Sequence, residues 1–133
     1  MTELGYPTTE DEMVDRLRST LPHGDYLVAV ALSNEQVVGA IGAMIGYYLE
    51  MNGSFGRVSA LSVASGHRGR GIGASLLARA ESCLRARGAT TFIVNSSTHR
   101  LDAHRFYVRE GYQTTGIRFR KELRADGMKY LVL

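Results

Sequence analysis

The sequence predicts one α/β domain of 133 residues, a single mixed and mostly antiparallel sheet flanked by helices. Three observations carry that prediction. Two strand-like apolar runs, DYLVAVAL (25–32) and QVVGAIGAMIGYYL (36–49), are joined by the polar turn Ser33-Asn34-Glu35, which reads as a hairpin. From Val58 to Asn95 the order is strand, helix, strand, which implies a parallel pair with a right-handed crossover. No linker, repeat or low-complexity stretch interrupts the pattern, and the length suits one modest core.

Each element has its own signal. After Pro7, TTEDEMVDRLRSTL reads as a short helix: Thr9 and Glu12 have capping-box spacing, and Met13, Leu17 and Leu21 share a face. Pro22-His23-Gly24 ends it. The hairpin follows, and a second polar turn, Met51-Asn52-Gly53-Ser54, leads into the strand FGRVSALSVAS. A helix from Ile72 to Arg87 turns Ile72, Leu76, Leu77, Ala80 and Leu84 inward, sets Glu81 four residues before Arg85, and stops at Gly88. TTFIVNSS is a buried-looking strand. His99 to Glu110 forms a second amphipathic helix, with Leu101, Phe106 and Tyr107 able to turn inward and Gly111 at its end. YQTTGIRFRKEL and MKYLVL, about the turn Ala125-Asp126-Gly127, read as a final hairpin.

Composition narrows the function classes. A hydrophobic content of 44% and a charged content of 22% are those of an ordinary soluble globular domain. The net charge of +3 is small, and all the basic residues but Lys121 and Lys129 are arginines, which suit phosphate and carboxylate. They form no dense stripe, which disfavours a nucleic-acid partner. Cys83, the single cysteine, allows no internal disulfide, reads as packing, and fits a reducing compartment. His99 and His104 are five apart and not on one helix face, so no metal site is expected. The acidic N-terminus has no apolar core for a signal peptide, and Val37 to Leu49 is too short and glycine-broken for a membrane span. The expectation is a cytoplasmic protein with no membrane partner.

The chemistry concentrates in HRGRGIG, residues 67–73, between a strand and a helix. A helix N-terminus offers unpaired N–H groups and partial positive charge to an anion. Gly69, Gly71 and Gly73 let backbone approach a ligand, and Arg68 and Arg70 add charge at the rim. A turn serving only strand-to-helix packing is the plainer alternative; three clustered glycines in this place favour a phosphate. An ATP-type P-loop is out, because Gly73 is followed by Ala74-Ser75 rather than Lys and Ser or Thr. A dinucleotide fingerprint fits poorly, since Leu76 holds the third glycine's place and the next strand ends in Asn95, not an acid.

The spacing Arg68-x-x-Gly71-x-Gly73 resembles the acyl-CoA signature of the GNAT superfamily of N-acetyltransferases. Leu61-Ser62-Val63 looks like that family's fourth strand and GIGASLLARAE like its central helix. Downstream, AHRFYVREGY is similar to a second family segment through Ala103, Phe106, Tyr107, Gly111 and Tyr112. The resemblance covers about Asp25 to Leu133 and implies the GNAT-like acyl-CoA N-acyltransferase fold. It implies acetyl-CoA as co-substrate, with the pyrophosphate held by the backbone of Arg68, Gly69, Arg70, Gly71, Ile72 and Gly73. Main-chain groups of Leu61 and Val63 would pair with the pantetheine arm, a pseudo-peptide suited to a strand edge. That strand and the one ending at Asn95 would splay into a slot. Asn95 either hydrogen-bonds the cofactor or closes the strand-to-helix turn. Tyr107 matches the family tyrosine cast as the general acid that reprotonates the departing thiolate; as a core tyrosine it would do no more than pack.

The resemblance further implies direct attack by an amine of a small molecule or peptide, with no acyl-enzyme. Two departures stand beside it. Where some members carry a glutamate base this chain has Arg57, so the base is unassigned, with Glu50 or a water chain as candidates. The chain also starts where members have already formed a strand and a helix, so the expected fold lacks the usual first strand, and a homodimer covering that sheet edge becomes an expectation. Tyr47, Tyr48, Glu50 and Met51 are expected to border the acceptor pocket beside the slot, and Arg100 and Arg105 to solvate their helix. A non-catalytic acyl-CoA-sensing module is the competing reading.

Overall fold

In a computed structural model, residues 9–96, 98–123 and 131 are described. The chain divides into two compact units, Met1–Thr98 and His99–Leu133. The first opens with α1 (Glu10–Thr20), and the expected capping box is present: Thr9 Oγ1 accepts from the Glu12 N–H at 3.2 Å while the Glu12 carboxylate accepts from the Thr9 N–H at 2.9 Å. Reciprocal capping satisfies two otherwise orphaned donors.

Three strands follow, β1 (Tyr26–Ser33), β2 (Gln36–Tyr47) and β3 (Ser54–Val63), then α2 (Ile72–Ala86) and β4 (Ala89–Val94). They form one sheet in the order β1-β2-β3-β4, antiparallel except for the β3–β4 pair, which is parallel as the crossover requires. The first hairpin turns on Asn34 and Glu35, both at positive φ (50° and 65°), the backbone that a two-residue turn between twisted strands demands.

α2 lies across one face of the sheet and touches all four strands. Leu76, Leu77, Ala80 and Leu84 are buried, together with Ile41, Ala43 and Ile45 of β2 and Val58 of β3. Each large side chain in that set contributes on the order of 1.5–3 kcal/mol of burial. Gly39 lets the first turn of α2 come close: a Cβ there would stand 3.1 Å from both Ile72 Cγ2 and Leu76 Cδ1. At the other end of α2, Arg87 Nη1 donates to the Gly24 carbonyl at 3.0 Å. The α2 N-terminus is therefore set by core packing at one end and a tether at the other. Among the described residues no helix is long and apolar enough to cross a membrane.

The second unit contains α3 (Leu101–Arg109), shorter at both ends than expected. Two expectations need correction. Leu101, expected inward, is 60% exposed at the first position of α3, where the helix has no preceding turn to cover it. YQTTGIRFRKEL, residues 112–123, forms no strand; its apolar members Ile117, Phe119 and Leu123 are 83%, 91% and 91% exposed. Residues 124–130, which include the expected turn, and most of the partner segment MKYLVL lie outside the described residues.

Candidate active site

β3 and β4 pair from Ser54↔Ala89 to Val58↔Val94 and part there. The cause is local. Against β2, Ala43 faces Val58 while Gly42 faces Ala60, so Ser59 is an extra residue, a β-bulge at the point of parting. A bulge bends its strand and raises its twist. Beyond it, β3 runs on for Ala60 to Val63 with β2 on one side and no β4 residue paired on the other.

The ladder fixes which groups face the open side. Ala64 N–H donates to the Val38 carbonyl at 2.8 Å, a hydrogen-bonded opposite pair. Such pairs alternate along an antiparallel ladder, so Ala60 and Ser62 aim their main-chain groups at β2 while Leu61 and Val63 aim theirs at the gap. Those are the two residues expected to offer a strand edge. The Val63 carbonyl already accepts a bond from Arg68 Nε at 3.1 Å.

The strand leads into a one-turn 3₁₀ segment, Ser65–His67, closed by His67 N–H to the Ala64 carbonyl at 2.8 Å. Gly69 and Gly71 then both take φ of +78°, the left-handed region that favours glycine. A Cβ at either would meet nothing within 4 Å, so the space above the turn is open. Gly71 is the N-cap of α2, and the first intrahelical bond runs from Ser75 N–H to its carbonyl at 3.0 Å. The N–H groups of Gly71, Ile72, Gly73 and Ala74 therefore precede the helical ladder, and no side chain caps them. Gly73 sits in the first turn, and Arg68 and Arg70 are exposed on either side of Gly69.

Asn95 is exposed directly after the last residue of β4, at the mouth of the gap. Two polar atoms bordering this region went unnoticed in the sequence: Nδ1 of His67 and Oγ of Ser96 are buried without a hydrogen-bond partner. The structure thus brings together an unpaired strand edge, a left-handed glycine turn and an uncapped helix N-terminus, the donor set that a pseudo-peptide joined to a pyrophosphate requires.

Other expected residues lie elsewhere. The loop holding Tyr48, Glu50 and Met51 joins β2 to the start of β3, at the closed end of the β3–β4 pair, not beside the gap as expected. The direction of β3 decides this, because the fork opens at its C-terminal end. Within the loop the Glu50 carboxylate accepts from the Leu49 N–H at 3.1 Å. Tyr47 donates its phenol to the Asp25 carboxylate at 3.1 Å, and that bond and charge hold its pKa above the ordinary tyrosine range. Arg57 is exposed in mid-β3 opposite Met44 and Ile93. In the second unit, Tyr107 is half-buried between Phe106 and Tyr112, with ring centroids 5.1 and 5.6 Å away. Burial raises its pKa and the nearby Arg100 charge opposes the rise.

Comparison with known proteins gives this arrangement a family. The family model described as "Acetyltransferase (GNAT) family" matches residues 2–112. The aminoalkylphosphonate N-acetyltransferase of Salmonella typhimurium is 36% identical over 121 residues, covering 91% of this chain and 76% of that protein. Among solved structures, a GNAT family acetyltransferase from Staphylococcus aureus superposes with a TM-score of 0.78 at 27% identity, covering 92% of this chain and 83% of its own. The aminoglycoside N-acetyltransferase AAC(6')-Iy in complex with CoA shares the fold, at a TM-score of 0.78 and 14% identity over 86% of this chain and 88% of that one. The chain belongs to the GNAT family of acetyltransferases.

Proposed function

We propose that this protein transfers an acetyl group from acetyl-CoA to the primary amine of a small molecule by direct attack. The observation that carries the reading is the fork after Val58, whose open β3 edge runs straight into the uncapped left-handed turn at Gly69 and Gly71. Acetyl-CoA supplies the activated acyl thioester. In this reading the backbone N–H groups of Gly71 to Ala74 bind the pyrophosphate, and the edge groups of Leu61 and the Val63 N–H pair with the pantetheine amides. Arg70 adds positive charge at the rim, and Asn95 offers an amide at the gap.

The chemistry balances with one group of the protein. The neutral amine attacks the thioester carbonyl, a C–N bond forms and the C–S bond breaks. The sulfur takes a proton from the Tyr107 phenol, and the protonated amine product loses one to solvent, which restores the tyrosine. Burial keeps that phenol in its acid form well through the neutral range, the state a proton donor needs. No carboxylate is assigned as base: Arg57 occupies the strand position of interest, and Glu50 sits at the closed end.

The acceptor class to test first is the aminoalkyl phosphonates, on the strength of the 36% identical relative. Purified protein with acetyl-CoA is mixed with aminoalkyl phosphonates, polyamines, an aminoglycoside and peptide N-termini, and released thiol is followed with mass detection of the acetylated product. The expected result is amine-dependent thiol release with one class preferred at least about tenfold. Saturable acetyl-CoA binding with no thiol release for any amine would instead make the protein an acyl-CoA-sensing module.

A further inference from the structure

Arg68 stands out because its side chain contacts protein where a rim charge would face ligand. Its Nε donates to the Val63 carbonyl at 3.1 Å. That carbonyl is on the open edge of β3, and Arg68 belongs to the glycine turn, so the bond ties the strand edge to the turn across the 3₁₀ segment Ser65–His67. The opposite side of this strand end is fixed by Ala64 N–H on the Val38 carbonyl at 2.8 Å.

We propose that Arg68 is a positioning residue: it acts through the Val63 carbonyl, holding the strand edge and the phosphate turn at one fixed spacing, and not through its charge. The proposal rests on the acetyl-CoA reading above. Pantetheine and pyrophosphate are covalently linked, so one molecule fills both places at the least ordering cost when their spacing is fixed beforehand. The bond also occupies one lone pair of the Val63 carbonyl. The Leu61 carbonyl is then the unengaged acceptor of the two on this edge, which favours one register for a pantetheine amide.

Two substitutions separate donor from charge. In glutamine the amide Nε2 stands at the same bond count from Cα as arginine Nε, so Arg68→Gln keeps the donor and discards the charge. In lysine a methylene occupies that place with Nζ one atom beyond, so Arg68→Lys keeps the charge and moves the donor off the position that meets the Val63 carbonyl. Dissociation constants are measured for acetyl-CoA and for ADP, which has a pyrophosphate and no pantetheine; circular dichroism checks the fold of each variant. The expected result is Arg68→Gln within about twofold of wild type for acetyl-CoA, Arg68→Lys weaker by about tenfold, and ADP changed less than about twofold in both. The reverse order, with Lys near wild type and Gln weakened for both ligands, would show a charge role and overturn the proposal. If ADP is too weak to measure, the order of Gln and Lys for acetyl-CoA still decides. Wild-type protein that binds no acetyl-CoA would overturn the cofactor reading and this role together.

Discussion

A Gly71→Glu variant is expected to bind acetyl-CoA at least about a hundredfold more weakly than wild type while keeping its fold. Gly71 sits at φ +78° with nothing within 4 Å of an added Cβ, so a side chain there finds room and not a clash. The left-handed backbone costs a non-glycine residue roughly 1–2 kcal/mol, an amount a folded domain generally absorbs. A carboxylate at the first turn of α2 also suits the helix dipole, so the helix is not what fails. What changes is the space above the turn, where a negative charge now meets the pyrophosphate; at about 4 Å and an effective dielectric near 20 the repulsion is about 4 kcal/mol per charge pair. Gly71→Ala carries the same backbone strain without charge and is expected to lose less than about tenfold. Calorimetric titration measures both, with thermal unfolding as the check on the fold. Equal affinities for the Glu and Ala variants would remove the anion from this turn.

Tyr107→Phe is expected to lower kcat by about a hundredfold and to leave KM for acetyl-CoA within about twofold. The substitution removes one oxygen from a ring held between Phe106 and Tyr112, so packing on α3 survives it. The pH dependence follows from the direction of the shift. Burial favours the neutral phenol and raises its pKa, so the acid is fully present at neutral pH and is lost only above the ordinary tyrosine value of about 10. The ratio of wild-type to Phe rates therefore stays constant from about pH 6 to pH 9. A ratio near one throughout would make Tyr107 a packing residue, and a ratio falling between about pH 7 and pH 9 would assign the proton to another group.

Much of the fold was legible because its signals are local. Thr9 and Glu12 form the box their spacing promised, the polar turn after Ser33 closes a hairpin, and the apolar stripe of α2 buries Leu76, Leu77, Ala80 and Leu84. The parallel β3–β4 pair followed from the crossover rule and not from any one residue. The fork was less accessible. A bulge at Ser59 adjoins it, and a serine in a strand carries no mark of being extra. Direction explains the misplaced loop: Tyr48, Glu50 and Met51 precede β3, and the gap opens at its other end. The bond from Arg68 to Val63 was hidden for a related reason, because a rim arginine reads as charge until its Nε is seen on a carbonyl. Residues 112–123 read as half of a hairpin, and they form no strand, with Ile117, Phe119 and Leu123 exposed.

The most direct test is residue-resolved. Acetyl-CoA is titrated into uniformly ¹⁵N-labelled protein and the backbone amide resonances are followed. The largest shifts are expected on the N–H groups of Leu61, Val63 and Gly69 through Ala74, in two stretches joined by one ligand. Shifts concentrated instead in the groove of about 820 Å³ between α2 and the start of β4, at Ala78, Ser82 and Gly88 to Phe92, would contradict it and move the ligand to the other side of the crossover.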